Sequence, residues 1–253
     1  MFDVSHLPVL VFFLSFLVMW FSSMVGFKFR QRRSRIEEDV YHDLDLIVAA
    51  TLTLLSLIVG FSFSMAISRY DLRKNYEEAE ANAIGTEFIR ADLLPAADGS
   101  KVRALLIEYL NERILFYTNR DRLPEVDQKT AQLQAELWAA VHAPALAQPN
   151  PVIALAVSGM NDVLNSQGYT QAAWWNRIPP GAWCLMLAVS LCANFLVGYD
   201  TRHPAKKHVR LIVLPVVLCV AFFAIADIDS PRRGIIRVQP QNLISLAQSL
   251  RGH

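Results

Sequence analysis

A row of small polar residues interrupts one of the most apolar segments of the chain. The residues that recur at spacings of three and four are Thr53, Ser56, Gly60 and Ser64. On a helix these four positions share one face. We call them the polar stripe, and two kinds of chemistry suit it.

The first interpretation of the polar stripe is structural, because small residues in this register let two helices approach closely and hydrogen-bond in lipid. The second is a water-filled path, in which hydroxyl groups replace part of the hydration shell of an ion. A chain with few membrane spans has little room for such a path. The second interpretation therefore requires several copies of the chain around an axis, with the stripe residues facing the pore.

A second group of reactive side chains, the membrane-edge charge cluster, follows the last apolar segment. Its members are Asp227, Asp229, Arg232 and Arg233. Opposite charges this close usually pair with one another, although acidic groups at the edge of a bilayer can also hold protons or ions. This cluster is the sole support for a membrane enzyme, and salt pairing is the expected arrangement.

Other catalytic and binding signatures are absent from the sequence. It has no glycine-rich phosphate loop, HExxH, GxSxG or paired CxxC, and its six histidines never share a helix face. We therefore predict no enzyme, no cofactor and no metal site. The basic run after the first apolar segment is typical of membrane topology, so no nucleic-acid partner is predicted.

Four apolar blocks position these residues. The chain has 253 residues, of which 53% are hydrophobic, and the blocks are 7–27, 46–67, 181–199 and 211–226. Most reach the roughly 20 residues that cross a bilayer core. The sequence therefore predicts a multi-pass membrane protein whose partner is the lipid bilayer.

The sidedness of the chain is predicted from the lysines and arginines near the spans. Nine lie after the first span or between the third and fourth, against seven on the opposite side. By the positive-inside rule the two short loops are cytoplasmic. In a bacterial inner membrane, both termini and the long segment between the middle spans would then be periplasmic.

The segment 68–180 between the middle spans is helix-prone, with apolar residues at helical spacing in four stretches. No proline occurs between Asp45 and Leu94, so the second span and the first of these stretches are predicted to form one helix. Its outer part carries Glu77, Glu78, Glu80 and Glu87, for which a solvated face with local ion pairs is expected.

The predicted fold is all-α. Its parts are a first transmembrane pair with a basic loop (1–67), an extramembrane antiparallel four-helix bundle (68–180), a second transmembrane pair (181–228) and a tail (229–253). The tail should contain a short amphipathic helix around Leu243, Leu246 and Leu250. This helix could lie on the bilayer or dock against the bundle.

Three local patterns together resemble a known family. They are Glu78–Thr86 (EAEANAIGT) beyond the second span, Arg177–Pro179 (RIP) before the third and Asp229–Gly234 (DSPRRG) after the fourth. With two short-looped pairs of spans around a helical insert, the chain resembles the bestrophin-like family of bacterial membrane proteins. The resemblance implies kinship with bestrophins, which are pentameric anion channels with the second span lining the pore.

The resemblance also implies a cytosolic insert, whereas the count of basic residues predicts a periplasmic one. Both assignments stay open. Glu80 and Asn82 of the first pattern are candidates for a vestibule outside the pore.

Two functions follow as hypotheses. The leading one is a homo-oligomeric, channel-like membrane protein that conducts a small anion. The alternative is a membrane-anchored sensing module, in which the helical insert recognises a small molecule or a partner protein. The cytoplasmic loops are too short to hold a signalling domain, so a sensor would need a separate partner.

Overall fold

The computed structural model of the chain describes residues 8–32, 38–119, 122–201, 207–232 and 234–251. Eight α-helices account for most of them: α1 (Pro8–Arg32), α2 (Glu38–Arg90), α3 (Ala96–Thr118), α4 (Leu123–Ala147), α5 (Pro151–Trp175), α6 (Pro180–Asp200), α7 (Lys207–Asp229) and α8 (Gln241–Leu250). A 3₁₀ turn, Ala91–Leu93, follows α2. No strand occurs in these ranges, so the all-α prediction is confirmed.

Four stretches of the described chain are long and apolar enough to cross a membrane. They lie in α1, in α2, in the Pro151–Asp200 stretch that contains α6, and in α7. The four predicted spans are confirmed as helical, and the protein is a multi-pass membrane protein. The continuous helix predicted through the second span is also observed, because α2 runs for 53 residues.

The helices belong to two compact units, which we describe separately. The first contains the described residues of Met1–Tyr70 and Arg177–Arg237, and the second those of Asp71–Asn176 and Val238–His253. The first unit thus holds α1, the early part of α2, α6 and α7. The second, the helical unit, holds the rest of α2 with α3, α4, α5 and α8.

Close packing in the first unit depends on small residues of α1 and α6. A methyl group at Gly198 would overlap the main chain at Ser23, and one at Gly26 would overlap the main chain at Phe195. The Ser22 hydroxyl donates a hydrogen bond to the Leu191 carbonyl at 2.8 Å. In lipid, where the hydrophobic effect does not drive helices together, close packing at small residues and hydrogen bonds from hydroxyl groups stabilise helix contacts. The contact between α1 and α6 is of this kind.

The helical unit has an apolar core that includes Leu106, Leu133, Leu137 and Met160. The tail helix α8 adds Leu243, which is fully buried in that core. Of the two positions proposed for the tail, α8 therefore takes the docked one.

Candidate functional site

The apolar part of α2 is the least covered of the four candidate spans. In the most apolar 18-residue stretch of α2, 11% of the residues are buried within the chain, compared with 50% in the corresponding stretch of α7. One edge of the helix, with Leu55, Ser62 and Ala66, is buried in the core of the first unit. Leu52, Ile58 and Val59 are partly buried against the same core, and most of the remaining circumference is exposed in the described parts of the chain.

The polar stripe lies on that uncovered surface. Thr53, Ser56, Gly60 and Ser64 are all exposed, and a methyl group added at Gly60 would meet nothing within 4 Å. Since successive helical residues turn by about 100°, these positions point away from the edge that is buried in the core. Within one chain, therefore, the stripe is not a close helix-packing surface of the kind that α1 and α6 form.

Two hydroxyl groups of the polar stripe, those of Thr53 and Ser56, are satisfied along the helix itself. Thr53 Oγ1 donates to the Ala49 carbonyl and Ser56 Oγ to the Leu52 carbonyl, each at 2.9 Å. Such bonds to the preceding turn let a hydroxyl sit in an apolar medium without an unmet donor. The side chains can also rotate toward another polar partner.

A groove of about 440 Å³ borders the polar stripe on one side. Ser56 and Gly60 of α2 form part of its wall, and the rest of the lining is apolar, from α2 and α7. The groove brings no charged group to the stripe. The chemistry available there is limited to hydroxyl groups, a bare stretch of backbone and apolar surface.

The outer part of α2 carries a second polar row, which the sequence did not predict. Four charged residues, separated by four, three and seven positions along the helix, are 1% exposed or less: Arg73, Glu77, Glu80 and Glu87. We call them the buried charged row. The expectation of a solvated face is wrong for Glu77, Glu80 and Glu87, because this row faces the interior of the helical unit, while Glu78 is exposed.

Glu80 lies at the centre of a buried ion pair. Its carboxylate accepts a hydrogen bond from Arg113 Nε, and both side chains are 0% exposed. The Thr170 hydroxyl of α5 donates to Glu80 Oε2 at 3.2 Å. Burial would lower the pKa of Arg113, but the adjacent Glu80 carboxylate raises it above its usual value. Glu80 thus ties α2 to α3 and α5, and its buried position differs from the vestibule position proposed for it.

The aromatic neighbours of this ion pair are buried as well. Burial raises the pKa of Tyr109 and of Tyr117 above the ordinary range, and the Glu80 carboxylate raises both further. The guanidinium of Arg113 lies 4.4 Å from the centre of the Phe116 ring. The Glu80–Arg113 ion pair therefore lies among buried aromatic rings, where burial favours the neutral form of both phenols.

Asn82 has the opposite placement and lies on the surface. It is exposed and lines a groove of about 810 Å³ together with Thr86, residues of α8 and the Asp92–Arg103 ion pair. Gly85 forms part of the floor, and Leu246 of α8 packs over it. The EAEANAIGT pattern therefore has two faces, with Glu80 inside and Asn82 on an open groove.

Glu77 and Arg73 both act on helix ends. Glu77 accepts hydrogen bonds from the Leu243 amide at 3.0 Å and from Asn242 Nδ2 at 2.7 Å, at the start of α8. Arg73 donates to the carbonyls of Ala173 and Asn176, at the end of α5. A carboxylate at a helix N-terminus and a cation at a C-terminus both offset the helix dipole, so these two residues fasten the ends of α8 and α5.

Two members of the membrane-edge charge cluster bind main-chain amides. The two carboxylate oxygens of Asp227 accept from Ile235 N at 2.7 Å and Ile236 N at 2.8 Å, and Asp229 accepts from Ile178 N at 3.2 Å. Asp227 and Asp229 are 3% and 4% exposed. Hydrogen bonds to charged groups are among the stronger ones in proteins, so both residues brace the turn after α7 and the start of α6.

A third member of the cluster, Arg232, lies in the same turn. It is half-buried, whereas Arg233 lies outside the described residues. A methyl group on the adjacent Gly234 would overlap the Asp227 carbonyl. The described residues of the DSPRRG pattern thus need a glycine at position 234, where the chain passes close to Asp227.

A comparison with known proteins supplies the family. Residues 13–243 match the bestrophin-like domain, whereas no curated protein sequence matches the chain. One solved structure, a point variant of a bacterial bestrophin homologue from Klebsiella pneumoniae, superimposes with a TM-score of 0.64 at 12% identity, covering 97% of this chain and 98% of that one.

Further solved structures agree with this fold. Another crystal structure of a Klebsiella pneumoniae bestrophin homologue has a TM-score of 0.61 at 12% identity, over 95% of this chain and 98% of that one. At these identities the likeness concerns the fold. Because the domain match covers most of the chain, the protein belongs to the bestrophin-like family.

Proposed function

We propose that the protein assembles as a homo-oligomeric channel in the membrane, with the polar stripe of α2 facing a shared central path. The observation that carries the proposal is the exposure of Thr53, Ser56, Gly60 and Ser64 on the least covered span of the protomer. Lipid offers hydroxyl groups and bare backbone no hydrogen-bond partner, whereas a hydrated path supplies water and ions that they can contact.

A small anion is the proposed permeant species. The segment of α2 from Leu46 to Ile67 has no charged side chain, so no carboxylate there would repel an anion. The hydroxyl groups of Thr53, Ser56 and Ser64 can donate hydrogen bonds to it. Kinship with the bacterial bestrophin homologues supports the same class of function.

Flux through reconstituted vesicles tests this proposal. Purified wild-type protein should let chloride flow out of sealed liposomes down its gradient. Ser56→Trp should block this chloride flux by filling the path. Leu17→Trp is the matched control, since Leu17 is 56% exposed on α1 and the substitution adds the same ring to a different span. Absence of flux from a wild-type protein that also runs as a monomer in mild detergent would refute the proposal.

We further propose that the protein resides in a bacterial inner membrane with its termini and helical unit on the periplasmic side. The nine basic residues next to the two short loops support this orientation. Kinship with bestrophins argues for the opposite one. The labelling experiment described in the Discussion distinguishes them.

Ligand or partner sensing by the helical unit is a second candidate function. The groove of about 810 Å³ beside Asn82 favours it, because hydroxyl and amide side chains from α2 and α8 line it together with one ion pair. A sensor of this kind would bind a separate signalling partner. Capture from native membranes that recovers only copies of the same chain would count against this candidate.

A further inference from the structure

Glu87 differs from the other members of the buried charged row because it has no hydrogen-bond partner among the described residues. Arg73, Glu77 and Glu80 each bond to a neighbouring helix. Glu87 is 0% exposed, and both of its carboxylate oxygens are buried without a donor. An ionised carboxylate in such a place loses its hydration and gains no hydrogen bond, so that the charge of Arg90 offsets the loss only in part, whereas the neutral acid loses much less.

The carboxyl group of Glu87 lies directly against the backbone of α5. A methyl group on Gly159 would overlap both Glu87 Oε2 and Arg90 Nη1, so the guanidinium of Arg90 lies against the same glycine. Glycine at this position therefore leaves the space that the carboxyl group occupies. The titratable group sits inside the contact between α2 and α5, so a change in its charge acts on that contact.

Charged groups near Glu87 come from both helices and from the following turn. Arg90, one turn later on α2, lies 4.0 Å from Asp162 of α5, so its charge is shared with another carboxylate. In the 3₁₀ turn, Asp92 is held in an ion pair with Arg103 of α3. Burial raises the pKa of Glu87 from 4.5 to about 8, with Arg90 lowering it and Asp162 raising it.

We propose that Glu87 is a proton-binding site that controls the packing of α2 on α5 within the helical unit. With the proton bound, the neutral carboxyl group fits against Gly159 and the contact is closed. When the proton leaves, the carboxylate needs water, and the contact opens to admit it. This proposal does not depend on conduction, because the site and its effect lie within the helical unit.

The direction of the pH effect follows from the two pKa values. Because the folded pKa of about 8 lies above the ordinary value of 4.5, the folded state binds more protons between them. The contribution to stability is complete below pH 4.5 and is lost as the pH rises through about 8. Between these two values the equilibrium for opening the contact should increase about tenfold for each pH unit, and above about 8 it should level off.

Hydrogen exchange on the full-length protein in detergent micelles tests the proposal. Peptides that cover 84–91 and 153–163 should exchange about 30-fold faster at pH 9.5 than at pH 6.5, after correction for intrinsic rates. Glu87→Gln should remove this step because the amide stays neutral. Glu78→Gln is the control, since Glu78 is exposed on the same helix, and it should keep the wild-type step.

Infrared spectroscopy of the wild-type protein supplies a readout that does not require any variant to fold. The carbonyl band of a protonated carboxylic acid should be present at pH 6.5 and absent at pH 9.5, and Glu87→Gln should lack it at both. A wild-type protein without a protonated carboxyl band at pH 6.5 would overturn the proposal. A pH step in exchange that persists in Glu87→Gln would do the same.

Discussion

The buried ion pair between Glu80 and Arg113 should dominate the stability of the helical unit. Both side chains are 0% exposed, and Thr170 adds a hydrogen bond to Glu80 at 3.2 Å. Replacing Glu80 with leucine leaves the guanidinium of Arg113 buried without its counterion and leaves the Thr170 hydroxyl without its acceptor. Breaking a buried ion pair from one side costs about 3–5 kcal/mol.

The expected loss can be expressed as a change in exchange rate. Since about 1.4 kcal/mol corresponds to a factor of ten in an equilibrium constant, the core amides of the helical unit should exchange roughly two to nearly four orders of magnitude faster in Glu80→Leu. Arg113→Met should cost a similar amount, because it strands the carboxylate instead.

The double variant separates the pair from its individual charges. With Glu80→Leu and Arg113→Met combined, no charge remains buried, so most of the lost stability should return. Glu78→Leu is the matched control, since Glu78 lies two residues earlier on α2 and is exposed, and the substitution should change stability by less than about 0.5 kcal/mol. Hydrogen exchange of the full-length protein at one fixed pH measures all four variants.

A clear result would contradict this reasoning. If Glu80→Leu exchanged at the same rate as Glu78→Leu, the carboxylate of Glu80 would have to be hydrated in the folded protein. Glu80 would then be free to line a vestibule, as its position in the sequence suggested.

Three further predictions concern the helix contacts and the orientation of the chain. Glu77→Ala should make the amides of 241–250 exchange about ten- to a hundredfold faster, because α8 loses a charged acceptor at its start, and unchanged protection would contradict this role. Gly198→Ala should destabilise the α1–α6 contact by about 1–3 kcal/mol. Gly181→Ala on the same helix should be tolerated, because Gly181 has open space around it. The thermal unfolding of both variants in detergent measures the difference. The orientation can be tested in a background without the three native cysteines. There, Glu78→Cys should react with an impermeant maleimide added to the periplasmic side, whereas Lys28→Cys should be protected. The reverse labelling pattern would place the helical unit in the cytoplasm.

The membrane spans could be predicted from the sequence because their signal is local. A run of apolar residues long enough to cross a bilayer has few soluble alternatives, and α2 continues past its span because nothing between Asp45 and Leu94 breaks a helix. The exposure of the polar stripe could not be predicted in this way. It depends on which edge of α2 is buried in the core of the first unit.

The buried charged row escaped prediction because its partners are distant in sequence. Glu80 meets Thr170 and Glu77 meets Leu243, which lie 90 and 166 residues further along the chain. Hydrophobic periodicity ranks charged positions as exposed, so it cannot predict that these charged residues are buried. One signal was present: Arg113 falls in phase with the buried apolar residues of α3, such as Leu106 and Tyr109.

Hydrophobic periodicity does not identify the buried face at the start of α5. The apolar residues Val152 and Leu155 are 45% and 53% exposed, while the equally apolar Ile153 and Ala156 are buried. Both sets suit a helix whose early turns are apolar on nearly every side. In such a segment, contacts with other helices decide which face is buried.

A structure of the assembled protein in lipid nanodiscs tests the central claim most directly, because it shows what Thr53, Ser56, Gly60 and Ser64 face. We expect several copies around an axis, with these four residues of each α2 lining a hydrated central path. A monomer, or an oligomer in which the four residues contact lipid or a neighbouring helix instead of the axis, would contradict the account.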